Sequence, residues 1–304
     1  MRKVFCDTLV KKAPDENFVF LTGDLGFMAL EPLRDELKSR FINAGVSEQN
    51  MVSVAAGLAS MGLKPWAYSI APFIYARPFE QIRNDVCLHS LPVVLVGNGG
   101  GYGYGVMGAT HHALEDYGSL LTLPAMRAYI PAFDEDIGPI VDRIFDRNGP
   151  SYLRLGVSEK PKNYSLTPYA PWRKILKGNR CTLLVIGPIV GGLLNQFLEL
   201  NEIQKPNIWL VSELPPSNIP AEFLVDIQIT QNLCVIEEHT SHGGAGQILA
   251  HALLSMGKAP KKFTTKNSVG YLSGKYGSQQ FHRKESGLDF ETIFQQMKEL
   301  DLPC

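Results

Sequence analysis

A chain of 304 residues, 45% hydrophobic and 19% charged, is long enough for two cored domains at roughly 150 residues each. That composition belongs to a soluble globular protein and excludes the disordered and fibrous classes. A formal net charge of −1 and a pI near 6.7 give no basic footprint for nucleic acid or an anionic membrane, so a small molecule is the expected substrate.

From the N-terminus, the chain turns acidic at Asp7 before an apolar leader forms, and no run of about 18 apolar residues follows. Strand-like runs at 18–22, 65–70, 92–97 and 128–131 alternate with helical ones, the clearest helix spanning about 48–61. Such alternation predicts crossover units and a mainly parallel sheet. Three prolines between 157 and 174 mark an exposed linker, which separates a domain over 1–156 from a smaller α/β domain over 175–304. In that second domain, strands are expected at 182–187, 208–212 and 233–238, and helices at 243–254 and 289–300. Cys6, Cys87, Cys181, Cys234 and Cys304 are scattered, with no Cys-x-x-Cys pair, so neither a disulfide framework nor a zinc site is expected. A reducing, cytoplasmic setting follows.

Within the 48–61 helix, Ser47 is a suitable N-cap and Gly62 a suitable terminator. Ala55, Ala56, Gly57 and Ala59 allow close backbone approach, while Met51, Val52, Val54 and Leu58 cover the remaining faces, so the helix is expected to be buried on most sides, in part by another subunit. Glu48 lies in its first turn. A solvated carboxylate there balances the helix dipole for roughly 0.3–1 kcal/mol. In apolar surroundings, burial can raise a carboxyl pKa by up to about 3–5 units, so the expectation for Glu48 is a protonated, buried acid.

Three ordered segments carry a family resemblance. Gly45-Val46-Ser47-Glu48-Gln49-Asn50-Met51-Val52 resembles a segment of transketolases and 1-deoxyxylulose-5-phosphate synthases. The stretch from Ala71 to Asp85, with Phe73 and Arg77, resembles their pyrimidine pocket, and Thr110-His111-His112-Ala113-Leu114-Glu115-Asp116 resembles their Thr-His motif. Further on, Gly149 to Leu155 is similar to the strand that closes that domain. Glu237-Glu238-His239 with Gly243-Gly244-Ala245-Gly246 is similar to the C-terminal domain of the family.

The resemblance implies a pyrimidine-binding thiamin diphosphate fold, followed by a transketolase C-terminal domain. It also implies thiamin diphosphate as cofactor, whose own chemistry the protein orients. Glu48 is then the acid on the pyrimidine ring nitrogen and Phe73 the aromatic on its face, with Ile70 and Arg77 as pocket walls. Asp24 and Leu25 are the expected neighbours of the thiazolium, and His111 is the expected proton donor to substrate oxygen. Mg²⁺ and the diphosphate need a Gly-Asp-Gly motif with a later Asn. Gly23-Asp24-Leu25 lacks the second glycine, so those ligands are expected from an N-terminal partner subunit, in a heterotetramer with two copies of each chain. No metal ligand is expected from this chain. His111 with Glu115, or His112 with Asp116, has i, i+4 spacing, but metal sites need more ligands than two; His112 reads as a satisfied surface residue.

The reaction implied is transfer of a two-carbon ketol unit from a ketose to an aldehyde. Departures from the family shape the substrate expectation: Met107 stands where relatives hold a ketose hydroxyl with Asp, Gly99 where many carry His, and Leu155-Gly156-Val157 where they carry a phosphate-binding Arg. Arg154 matches a different family arginine. An unusual or non-phosphorylated sugar, entering past Tyr102, Tyr104 and Met107, is therefore expected. Gly103-Tyr104-Gly105-Val106-Met107-Gly108 also satisfies a dinucleotide fingerprint, but it does not directly follow its strand. Three rival functions stay open on the sequence: an NAD-binding dehydrogenase, a pyruvate dehydrogenase-type β subunit or other thiamin-dependent acyloin or acyl transferase, and a catalytically silent regulatory subunit.

Overall fold

The computed structural model describes residues 1–157 and 159–300; Cys304 lies outside them. The fold is α/β with two mainly parallel sheets. The first contains β1 (Phe18–Thr22), β2 (Phe41–Asn43), β3 (Lys64–Ile70), β4 (Val94–Asn98), β5 (Arg127–Tyr129) and β6 (Ser151–Leu155). The second is built from β7 (Trp172–Leu176), β8 (Thr182–Ile186), β9 (Asn207–Val211), β11 (Asn232–Glu237) and β12 (Lys262–Asn267). Between β9 and β11, the short β10 (Glu213–Leu214) leaves its own half and pairs antiparallel with β5, so the first sheet runs β10-β5-β6-β4-β3-β1-β2. The second runs β12-β11-β8-β9-β7, with only β7 antiparallel to its neighbour.

Helices cover both faces of the first sheet, which is why its strands read as near-continuous apolar runs. On one face, α1 (Arg2–Val10), α2 (Glu31–Leu37) and α7 (Ile137–Phe145) enclose Phe5, Phe18, Phe20, Trp66 and Tyr68. Ile137, Ile140, Val141 and Ile144 of α7 recur at helical spacing and are all buried. On the other face, α3 (Glu48–Ser60), α4 (Ala71–Ala76), α5 (Phe79–Gln81) and α6 (Asp116–Leu120) pack against the sheet. The second sheet is covered by α8 (Ile189–Leu198), α9 (Ala221–Thr230), α10 (Ala245–Ser255) and α12 (Phe290–Leu300), while α11 (Gln279–Glu285) leans back on the first half.

One boundary needs correction. Trp172 and Arg173 are buried in β7, so that strand starts inside the 157–174 stretch read as exposed linker. Met51, Val52, Ala55, Ala56 and Ala59 bury one face of α3, but Asn50, Ser53, Val54 and Gly57 leave the other open within this chain. Ser47 holds the N-cap position without a side-chain capping bond. Gly62 has φ +88°, the left-handed conformation that ends a helix cheaply only with glycine. Cys6, Cys87, Cys181 and Cys234 are free and buried, and burial pushes the Cys87 and Cys234 thiols up to about 11. No helix among the described residues is long and apolar enough to cross a membrane.

Candidate active site

The carboxyl ends of β1, β3 and β4 converge where ligands of open α/β sheets gather. After β2, a tight turn through Gly45 (φ +70°) delivers Glu48 to the start of α3 with its side chain 3% exposed. Ser69, one residue before the end of β3, donates its hydroxyl to Glu48 Oε1 at 3.1 Å. The carboxyl is therefore buried, as expected, but its surroundings are not apolar. Arg77, just past α4, places Nη1 3.0 Å from Oε1 and 2.9 Å from Oε2. Arg77 and Ser69 on its oxygens replace the purely apolar surroundings that the helix pattern suggests.

Arg77 and Phe73 form the next layer. The Arg77 guanidinium carbon is 3.7 Å from the centroid of the Phe73 ring, a cation–π contact. Beyond Phe73 stands His111, centroids 5.3 Å apart at 61°, and beyond His111 the Tyr104 ring at 5.9 Å. Thr110 Oγ1 is hydrogen-bonded to His111 Nδ1 at 2.9 Å, and among the described residues Nε2 has no partner of this kind. Tyr104 accepts a hydrogen bond from Asn98 Nδ2 at 2.8 Å, and burial raises its phenol pKa. Its ring fills the space over Gly99, where any side chain would collide with it. Ile70 ends β3 beside Ser69 and is itself buried. Glu48, Phe73, Arg77 and His111 thus come together with Ser69, Asn98 and Tyr104, and Ile70 ends the strand that carries Ser69. Ser69 and Asn98 escape sequence reading, because only strand register shows that they share an end of the sheet.

Asp24 and Leu25 sit at the end of β1. A Cβ on Gly23 would lie 3.8 Å from Glu48 Oε1, so this strand end adjoins the same carboxyl. The Asp24 side chain is directed elsewhere: Asn43 Nδ2 donates to its Oδ1 at 3.1 Å, and Asn43 Oδ1 accepts its backbone N–H at 2.9 Å. With Leu25, Arg34 and Lys38 it lines an open cavity of about 420 Å³. Phe27, Met28 and Val46, more than 70% exposed, lie in the two loops that flank this strand end.

The loop after β4 differs from its sequence reading. Tyr102 is fully buried and shapes no entrance; Met107 is exposed. His112 is 4% exposed, bonded to Gly105 O and to the Tyr271 hydroxyl, each at 2.9 Å, and burial lowers its pKa; it is not a surface residue. The glycine fingerprint leads into short 3₁₀ turns, not the helix N-terminus that a dinucleotide needs. Glu115 accepts the Tyr75 hydroxyl at 3.1 Å, and Asp116 is held by Arg154 and Tyr152. Among the described residues, no group of three or more His, Cys, Asp or Glu is placed to hold a metal ion.

Residues 1–161 match the family model for the transketolase pyrimidine binding domain. A subunit of the apulose-4-phosphate transketolase of Phocaeicola vulgatus is 31% identical over 260 residues, covering 83% of each chain. The 1-deoxy-D-xylulose-5-phosphate synthase of Clostridium perfringens is 26% identical over 97% of this chain, which spans only 48% of that longer protein. A split gene transketolase solved as an inactive β4 tetramer superposes with a TM-score of 0.81 at 26% identity, over 99% of this chain and 97% of its own. A family match along more than half the chain, with a relative 31% identical over 83% of both chains, makes this protein a member of the transketolase family, similar along its length to a subunit of a split enzyme.

Proposed function

We propose that this chain completes a thiamin diphosphate-dependent transketolase with an N-terminal partner subunit, two copies of each, and that the enzyme moves a two-carbon ketol unit from a ketose to an aldehyde. The observation that carries the reading is the buried Glu48 carboxyl, with Ser69 and Arg77 on its oxygens and the Phe73 ring beside it. A buried carboxyl next to a flat aromatic suits a planar, nitrogen-bearing ring. The guanidinium already against both is a group of that shape and hydrogen-bonding character.

When bound, the cofactor supplies the carbon nucleophile. Glu48 would hold the pyrimidine ring nitrogen, Phe73 and Ile70 would exclude water from the ring, and Asp24 and Leu25 would border the thiazolium side. His111, with one ring nitrogen tied to Thr110, offers the other for proton transfer at the substrate oxygen. Mg²⁺ and diphosphate ligands come from the partner. Residues 1–156 form the cofactor-facing unit in this reading, and 172–304, from the start of β7, the C-terminal unit. Glu48→Ala in the assembled complex should slow exchange of the cofactor C2 proton by several orders of magnitude. Wild-type exchange, followed by NMR in deuterium oxide, would refute the assignment.

A further inference from the structure

Glu237, Glu238 and His239, at the end of β11, lie far in sequence from the proposed catalytic face, yet each reaches into the segment between Gly101 and Gly118. Glu237 is fully buried. It accepts the Tyr117 hydroxyl at 2.5 Å and anchors its own half through Ala245 N, Gly246 N and Asn267 Nδ2 at 2.7, 3.0 and 3.0 Å. His239 Nε2 accepts the Gly118 N–H at 3.1 Å, its Nδ1 is bonded to Thr240 O at 2.7 Å, and its ring stacks on Tyr117 at 3.8 Å. Glu238, 5% exposed, accepts the Tyr102 N–H at 2.6 Å. Gln279 Nε2 and Arg283 Nε hold the same carboxylate at 2.9 and 2.7 Å.

Tyr102 stands at the root of the loop that carries the candidate site's second wall. Gly101 and Ala113 exchange two backbone hydrogen bonds of 2.9 Å, closing the loop at its neck. From there it projects Tyr104 and His111 towards Phe73. Gly101 has φ +64°, and a Cβ there would meet the Glu238 carboxylate at 2.6 Å, so the carboxylate lies directly on the loop backbone. Arg154 Nη2 ties Glu238 O and Ala113 O together at 2.9 and 2.8 Å. A charged acceptor on a buried amide is about twice as strong as a neutral one, and Arg283 keeps that charge paired.

We propose that Glu238 is a positioning residue: its carboxylate fixes the Tyr102 amide, and through it the loop that presents Tyr104 and His111 to Phe73. The second half of the chain thereby governs a catalytic face whose side chains come from the first. This rests on reading the Phe73–His111 face as the catalytic one.

The test uses the full chain with ¹³C-labelled histidine. In Glu238→Ala, the His111 ring resonance, assigned by its loss in His111→Gln, should shift and broaden. Amide exchange across 101–113 should quicken about tenfold, while 51–60 in α3 stays as in the wild type. Glu238→Gln keeps the shape without the charge, should give a smaller change in the same direction, and serves if the alanine variant fails to fold. In the complex with the partner, kcat should fall about tenfold with the cofactor Kd unchanged, because the Glu48 side is untouched. An unmoved His111 resonance with unmoved exchange in both variants overturns the proposal, whatever the activity. If the loop loosens as expected but His111→Ala leaves turnover intact, the positional link stands and the reading of the catalytic face fails.

Discussion

The Arg77 guanidinium carbon lies over the Phe73 ring, 3.7 Å from its centroid, while its Nη1 bridges both oxygens of Glu48. One side chain therefore occupies the aromatic face and the acid that the proposed function assigns to a cofactor ring, and such a ring must turn Arg77 aside. With 43% of its side chain exposed, Arg77 has solvent to move into. Removing it leaves a buried carboxylate with Ser69 alone. Arg77→Ala is expected to lower the chain's stability by about 1 kcal/mol, discounted for that exposure, in urea denaturation. The loss should shrink in an Arg77→Ala, Glu48→Gln double variant; equal losses on both backgrounds would show that the pair does not interact.

Acid should loosen the junction between the two halves. Burial pushes the His239 imidazole below its ordinary value, against the upward pull of Asp116, and burial acts in the same direction on His112. The unfolded chain takes up these protons near pH 6.5, the folded chain only at lower pH. Stability is thus full above about pH 6.5 and falls as pH drops below it. The urea midpoint should be lower at pH 5.5 than at 7.5, and by less in His239→Gln, whose amide oxygen can still accept the Gly118 N–H. An identical pH difference in that variant removes His239 from the account.

Purified alone, the chain should bind thiamin diphosphate weakly or not at all, since the diphosphate and Mg²⁺ ligands belong to the proposed partner. Calorimetry checks this directly, and tight Mg²⁺-dependent binding by the single chain would contradict the two-subunit reading.

Substrate choice can be tested by steady-state kinetics on the reconstituted complex. Gly99 leaves its space to the Tyr104 ring, Met107 offers no hydrogen bond, and Gly156-Val157 carries no cation. Xylulose 5-phosphate and ribose 5-phosphate are therefore expected to turn over below a kcat/KM of about 10⁴ M⁻¹s⁻¹. Values at or above that range would mean that these substitutions do not set specificity.

Much of the site was legible in the sequence because its parts are local. Glu48 follows an N-cap and opens an apolar helix, and Phe73 and Arg77 share one short segment, so the resemblance of each segment to the family singles them out together. Pairings across the chain were not. Glu48 and Arg77 are 29 positions apart, and Tyr102 and Glu238 are 136 apart; nothing in periodicity couples them. The adjacent histidines show the limit most plainly. His111 faces Phe73 while His112 points into a box of Tyr102, Tyr271 and His282, and only the 3₁₀ turn between Ala109 and His111 decides which is which.

Strand β10 gives the order of synthesis a physical meaning. As the chain emerges from a ribosome, the first sheet can assemble with β5 at its border, but that border keeps its unpaired N–H and C=O groups until Glu213 and Leu214 have been made. Open edges of this kind invite pairing with other nascent chains. The sheet that bears the candidate site is therefore capped late, by residues made only after much of the second half exists, so a truncated translation product ending before Glu213 would carry a nearly complete site on a sheet with an open flank.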